Sequence, residues 1–289
     1  MKNTLNEQYH LCIENIEALA PAPVIFTQIL DCVEDPDSTS DELRDLILQD
    51  QALTAKILSI ANSAYFGTSK TITDVKGAII RIGYQNVMEI AIGVIILGAM
   101  QGAKKSDVLD NVYFWQYSLA CAEASKFVAK AIHYKQLEQA YIIGLMHDIG
   151  RQILIHCFGT AYDEVILSSY AEKLSLVSKE KEILNIDHTE AGEVLASNWR
   201  LPDQVIAAIK FHHSVEDIPE NYKAEIYITQ IAEYITRKIG LGNNGDYSPP
   251  ELDKRVLDGL RLNEEDIDSF IHDFMKELPR IQAIFSNVL

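Results

Sequence analysis

Between Tyr141 and Leu154 the chain reads as an apolar helical segment into which His147 and Asp148 are set side by side. Their neighbours, Ile142, Ile143, Leu145, Met146, Ile149 and Ile153, all belong in a core. Whatever fold forms must therefore bury an imidazole next to a carboxylate. Such burial costs several kcal/mol unless each group is paired, hydrogen-bonded or bound to a metal. Successive helical residues point about 100° apart, which lets adjacent side chains converge on one ion. Gly150 admits a close neighbour, a partner or a phosphate, and Arg151 carries a permanently charged fork suited to phosphate. Two readings fit this segment: a metal site or a hydrogen-bonded structural pair.

The rest of the chain carries the period of helices. Residues 9 to 32 form a helical stretch that Pro21 and Pro23 must interrupt. Thr39 and Glu42 have capping-box spacing, and Leu43, Leu46 and Ile47, then Leu53, Ile57 and Leu58, predict two short helices joined near Asp50 and Gln51. Asn62 and Ser63 fit a helix C-terminal cap. Two more helices are expected around Arg81–Tyr84, and the apolar run from Ile90 to Met100 is a buried core helix, too short for a bilayer. Residues 101–107 are polar and short, and the joint between subdomains is placed there. Helices over 112–133, 137–148, 151–158, 161–173, 177–184, 189–198, 202–212 and 223–239 then make a bundle. A flexible turn follows at 240–246, with a helical tail beyond it that starts at Pro249–Glu251 and resumes after an Asn263–Asp266 cap. No alternation of period two has useful length, so the fold class is all-α. The expected organisation is an N-terminal helical subdomain over 1–105 packed on a helical bundle over 106–240, with a C-terminal helical tail over 241–289.

Composition narrows the function. A net charge of −17 over 289 residues argues against a general polyanion binder, since nucleic-acid affinity rests on Lys and Arg; direct nucleic-acid binding is not expected. A small phosphorylated ligand held by a few local groups remains compatible. Cys12, Cys32, Cys121 and Cys157 lack Cys-x-x-Cys spacing and read as buried free thiols of a reducing cytoplasm. The polar N-terminus has no signal-peptide core, and no membrane association is expected.

Downstream of His147 and Asp148 come His188, within Asp187-His188-Thr189-Glu190-Ala191-Gly192, and the pair His212-His213, which follows Trp199-x-Leu201-Pro202 and a helical run. This His-Asp pair, lone His and His-His pair resemble the HD superfamily of metal-dependent phosphohydrolases. Asn62-Ser63, with Ala78-Ile79 and Ile82-Gly83, narrows the resemblance to the HDOD family, the HD-related output domain of bacterial signalling proteins. The resemblance implies that His147, Asp148, His188, His212 and His213 hold one or two divalent ions (Fe, Mn, Ni, Zn or Mg). Glu233 stands where the family commonly has Ala-Asp. It implies further that Asp148 works at the reacting centre, with Arg151 and Lys210 steadying a phosphate.

One position departs from the pattern. Phe114-Trp115-Gln116-Tyr117-Ser118 sets Tyr117 where HD proteins place their first His, and a phenol with a pKa near 10 is a poor ligand at neutral pH. His133 cannot replace it, because sixteen helical residues span about 24 Å. His10, His156 and His272 have no assigned role. The resemblance therefore implies a bacterial cytoplasmic regulatory module that binds a signalling partner or a phosphorylated small molecule at a degenerate HD site. The alternative is a metal-dependent phosphohydrolase acting on a nucleotide or phosphodiester.

Overall fold

A computed structural model describes residues 22–35, 37–67, 70–100 and 106–288. The expected helix before residue 22, most of the 101–107 joint, His10 and Cys12 lie outside the described residues. Among those described, every regular element is helical. The chain clusters into two compact units, one of residues 106–273, the other of residues 22–100 together with 274–288.

In the second of these, α1 (Val24–Glu34), α2 (Ser40–Ile47), α3 (Gln51–Ala61), α4 (Val75–Ile82) and α5 (Tyr84–Ala99) are each started by local chemistry. The capping box forms as expected: the Thr39 amide donates to Glu42 Oε2 at 2.8 Å, and the Glu42 amide donates back to Thr39 Oγ1 at 3.3 Å. Asp50 caps α3 through the amides of Ala52 and Leu53 at 2.8 and 3.0 Å, which makes the joint between α2 and α3. Asn62 does cap α3; its side chain also exchanges hydrogen bonds with both backbone groups of Ile72 at 2.8 Å, pinning the following loop. Gly83, at φ +96°, turns α4 into α5 through 115°. α5 is the buried apolar helix, with Val87, Ile90, Ala91 and Ile96 almost fully enclosed. No single helix among the described residues is long and apolar enough to cross a membrane.

The larger unit contains α6 (Asn111–Ala131), α7 (Leu137–Met146), α8 (Ile149–Phe158), α9 (Thr160–Glu172), α10 (Leu176–Leu184), α11 (His188–Asn198), α12 (Asp203–Phe211), α13 (Lys223–Ile239), α14 (Lys254–Leu260) and α15 (Glu264–Phe274). α16 (Leu278–Val288) belongs to the other unit. α14 begins later than Pro249 predicts, because Asp253 caps it through the Arg255 amide at 2.8 Å. Cys32 and Cys121 are free thiols, whereas Cys157 is disulfide-bonded, so the expectation of four free thiols fails there.

Two glycines bring the bundle helices close. At Gly144 a Cβ would stand 2.5 Å from the Cys121 carbonyl oxygen and 2.8 Å from Ala122 Cα, with Ser125 Oγ nearer still, so α7 lies directly against α6. At Gly150 it would overlap the His188 carbonyl oxygen and lie 2.6 Å from Gly192 N. The close neighbour that Gly150 admits is thus the backbone of α11, and this crossing carries His188 to Asp148.

Candidate metal centre

His147 and Asp148 occupy the joint between α7 and α8 rather than the interior of one helix. His147 keeps helical dihedrals while Asp148, at φ −98° and ψ 8°, breaks the run. The break aims both side chains into the bundle, where each is fully buried. His188 opens α11, while His212 and His213 follow the end of α12. Glu233 comes from the middle of α13.

Hydrogen bonds fix which imidazole nitrogens are free. His147 Nδ1 lies 2.8 Å from the Gly144 carbonyl, His212 Nδ1 2.7 Å from the Ile209 carbonyl, and His188 Nδ1 2.6 Å from Glu180 Oε2. Each of these neighbours is an acceptor, so each Nδ1 carries the hydrogen and, in a neutral ring, each Nε2 presents a lone pair. Those lone pairs converge. His188 Nε2 is 3.2 Å from His212 Nε2, 3.1 Å from His213 Nε2 and 3.1 Å from Asp148 Oδ1. His147 Nε2 and Asp148 Oδ1 are buried and have no hydrogen-bond partner among the described residues, close as their neighbours are.

Acceptors facing acceptors at 3.1–3.2 Å repel one another unless a proton or a cation lies among them. Charge in the surroundings favours the positive species. Burial lowers the pKa of His188, but the Glu180 and Asp148 carboxylates outweigh it and hold the imidazole up at about 9. Burial works against the charge on Asp148 as well, yet Arg151, His147 and His188 keep it well below the usual carboxylate range. His147 is brought down to about 4, chiefly by burial, and is neutral near pH 7. An imidazole such as His147, whose outer nitrogen is hydrogen-bonded and whose inner nitrogen is bare, set beside an ionised carboxylate, has the arrangement of a metal-ligating histidine, and at His188 an ion would take the place of the inner proton.

The ligand-capable atoms form two overlapping groups: Asp148, His188, His212 and His213, and His147, His212 and Glu233, the atoms of each group lying within 4.8 Å of one another. Asp148 faces both, its Oδ2 being 3.5 Å from His147 Nε2. All six metal-ligand candidates from the sequence are therefore brought together. Arg151 is fully buried; its Nε is 3.0 Å from Asp148 Oδ1 and its Nη1 donates to the Asn244 carbonyl. Lys210 belongs to neither group and pairs with Glu193 at 2.7 Å. Tyr117 is buried with its hydroxyl unpartnered among the described residues, its ring 5.8 Å from that of His147. It therefore does stand beside the centre.

Sequence reasoning passed over Glu180, Tyr162 and Asn244. Glu180 accepts from the amide and Nδ1 of His188 and from the Tyr162 hydroxyl at 2.6 Å. It had a signal, a carboxylate between Leu176 and Leu184 on the apolar face of one helix. Asn244 had none, since it lies in what reads as a flexible turn. In the structure that turn is a strap whose residues 244–246 are buried: Asn244 is 3% exposed and its Nδ2 donates to Asp148 Oδ2 at 3.3 Å.

A cleft of about 300 Å³ opens beside the centre, lined by His212, His213, Glu233, Tyr234, Arg237 and Glu251 among others. Arg237 is committed: its Nη2 donates to the Ser248 carbonyl at 2.6 Å, and its Nη1 is 3.5 Å from Glu233 Oε1.

Comparison with known proteins adds four likenesses. Residues 19–215 match the HDOD domain. A protein of Treponema pallidum (strain Nichols), named only as uncharacterized, is 27% identical over 262 residues, which is 87% of this chain but 48% of the relative. The chain thus spans about half the length of that curated relative. A Marinobacter aquaeolei VT8 structure whose name proposes a signal-transduction role superposes with a TM-score of 0.82 at 20% identity, covering 99% of this chain and 66% of that one. A Shewanella amazonensis SB2B structure whose name proposes phosphohydrolase activity gives 0.73 at 20% identity, covering 96% and 98%. At these identities the two superpositions bear on the fold.

Proposed function

Given that the chain belongs to the HDOD domain family, we propose that it is a signalling module that binds a small phosphorylated ligand through a divalent ion held by Asp148, His188, His212 and His213. The observation that carries this reading is the convergence of three Nε2 atoms and Asp148 Oδ1 at 3.1–3.5 Å, with the outer nitrogens of His188 and His212 tied to acceptors. Three imidazoles and one carboxylate suit zinc, iron, nickel or manganese better than magnesium, which prefers oxygen donors. In this reading Glu180 orients His188, and Arg151 balances the charge of Asp148. The ion supplies the electrophile that binds phosphate; the cleft's own arginine is already engaged by Glu233 and backbone carbonyls.

Elemental analysis of protein purified without chelator or a metal-bearing tag should find a first-row divalent ion near one per chain. The loaded protein should then bind inorganic phosphate, measured by calorimetry, and the apoprotein should not. Loaded protein that ignores phosphate removes this reading.

A second reading, a phosphohydrolase, is favoured by Glu233. It is buried, its Oε1 lacks a hydrogen-bond partner, and burial together with Asp148 raises its pKa, as suits a group that exchanges a proton with a reacting water. Under the regulatory reading the metal-loaded protein leaves bis-p-nitrophenyl phosphate intact. Steady turnover that Glu233→Gln reduces by about a hundredfold or more moves the assignment to the enzyme.

Tyr117 provides a further prediction. Tyr117→His adds an imidazole beside His147, and metal affinity should rise about tenfold, which corresponds to 1.4 kcal/mol. An unchanged affinity, read by competition with a chromophoric chelator, means that residue 117 does not reach the ion.

A further inference from the structure

We infer that Asn244 is a positioning residue of the metal centre, and that the strap over residues 240–248 couples the state of this centre to an exposed tyrosine pair. The inference rests on the metal reading above, but its structural half stands on contacts of this chain alone.

The strap is held to the site from both sides. In its middle Asn244 donates through Nδ2 to Asp148 Oδ2 at 3.3 Å, and its carbonyl accepts from Arg151 Nη1. One residue thus touches both members of the Arg151–Asp148 ion pair. At its end the Asp246 and Ser248 carbonyls accept from Arg237 Nη2 at 3.3 and 2.6 Å, and Arg237 also faces Glu233. At its start a Cβ on Gly242 would stand 2.5 Å from the Tyr113 carbonyl oxygen and 2.7 Å from Tyr117 Cα, so the backbone lies directly on α6. The Asn243 amide completes this seam by donating to the Tyr113 carbonyl at 2.9 Å.

Asn244 is also locked from within. Its Oδ1 accepts from the Asp246 amide at 3.1 Å, which leaves Nδ2 as the donor and aims it at Asp148. Asp148 Oδ1 faces His188 and His212, while Oδ2 is the atom Asn244 holds. Rotation of the carboxylate toward an ion therefore changes the Asn244 bond, and the strap feels it. On the outer side of the same strap, Asn243 Nδ2 donates to the Tyr247 hydroxyl at 2.9 Å, and the Tyr247 ring packs edge-on against Tyr170 with centroids 5.3 Å apart. Tyr170 is 64% and Tyr247 46% exposed. Two residues thus separate an amide on the buried carboxylate from an aromatic pair on the surface. Coupling of this kind is reciprocal: whatever the ion does to the strap, the strap does to the affinity for the ion.

The test uses the whole chain and two variants. Asn244→Ala removes the donor, and Asn244→Asp keeps the shape and the Oδ1 acceptor while replacing the donor with a second carboxylate oxygen. Hydrogen exchange of the 240–248 peptide is followed by mass spectrometry in metal-free protein, then with Co²⁺, whose d–d bands report the geometry around it. In the metal-free state both variants should exchange this peptide at least about tenfold faster than wild type, with the remaining helices unchanged. Co²⁺ should slow the exchange in wild type and not in Asn244→Ala. The variant's Co²⁺ affinity should fall about 10–100-fold, the range for outer-shell partners, with shifted d–d bands. Asn244→Asp covers the case in which the alanine protein does not fold.

Wild-type exchange rates in both variants overturn the inference, as does an Asn244→Ala protein that binds Co²⁺ with wild-type affinity and spectrum. If wild type takes up no Co²⁺, the metal reading fails. The exchange comparison in metal-free protein still decides whether Asn244 anchors the strap.

Discussion

Replacing His188 by alanine abolishes stoichiometric metal binding while leaving the helical far-ultraviolet spectrum in place. His188 Nε2 is the atom nearest to everything else in the cluster, 3.1 Å from Asp148 Oδ1 and from His213 Nε2 and 3.2 Å from His212 Nε2. Removing it takes away a ligand together with the imidazole that Glu180 orients. Loss of an outer-shell partner alone costs 10–100-fold in affinity, so loss of a ligand at the centre should exceed about a hundredfold. Elemental analysis after dialysis against limiting metal measures this directly. Affinity within a few-fold of wild type would mean that the six residues form a hydrogen-bonded network and not a metal site, the alternative that the His-Asp pair leaves open. Such a network still rigidifies a bundle when each member is satisfied. Three buried atoms of these six residues are not satisfied, His147 Nε2, Asp148 Oδ1 and Glu233 Oε1, and this favours the ion.

The second large effect is on stability. Gly150→Ala puts a methyl group into the His188 carbonyl oxygen, with Gly192 N at 2.6 Å, and both obstacles are backbone of α11. A flexible side chain could swing away; a helix must shift as a whole. Overpacking of this kind costs about 3 kcal/mol, or roughly 5 °C in the melting temperature of a chain this size. Metal affinity should fall with it, because α11 begins at His188 and moves when α11 moves. Gly98→Ala is the control. Gly98 is an exposed residue of α5 with no atom within 4 Å of the added Cβ, so alanine there gains about 0.5–1 kcal/mol of helix preference. A calorimetric scan in which Gly150→Ala melts with wild type would show that α8 and α11 separate more easily than their backbone contact implies.

What could be read from the residues follows from how local the physics is. The capping box at Thr39, the Asp50 cap and the helical spacing of Leu43, Ile47, Leu53 and Ile57 are decided within a few residues, so the helices of the N-terminal part and most of the bundle follow from the chain itself. The candidate ligands were recognisable for another reason. His147 and Asp148 are expensive to bury and sit on a stretch otherwise fit for a core, so the pair announces a partner before the partner is known, whereas His188, His212, His213 and Glu233 are picked out by the resemblance to HD proteins.

Tertiary structure decided the rest. Arg151 and Lys210 are both cations near the motif, and nothing local separates them; packing buries the first against Asp148 and leaves the second at the surface with Glu193. Glycine spacing says that something comes close at Gly150, but only the crossing of α8 and α11 makes that neighbour the carbonyl of His188. The strap is the sharpest case. A Gly-Asn-Asn-Gly segment has the composition of a mobile turn, and its local energetics permit many conformations. What orders it is long-range: Asn244 meets Asp148, 96 positions away in the chain, and a contact of that kind exists only once the helices that carry its two ends have packed.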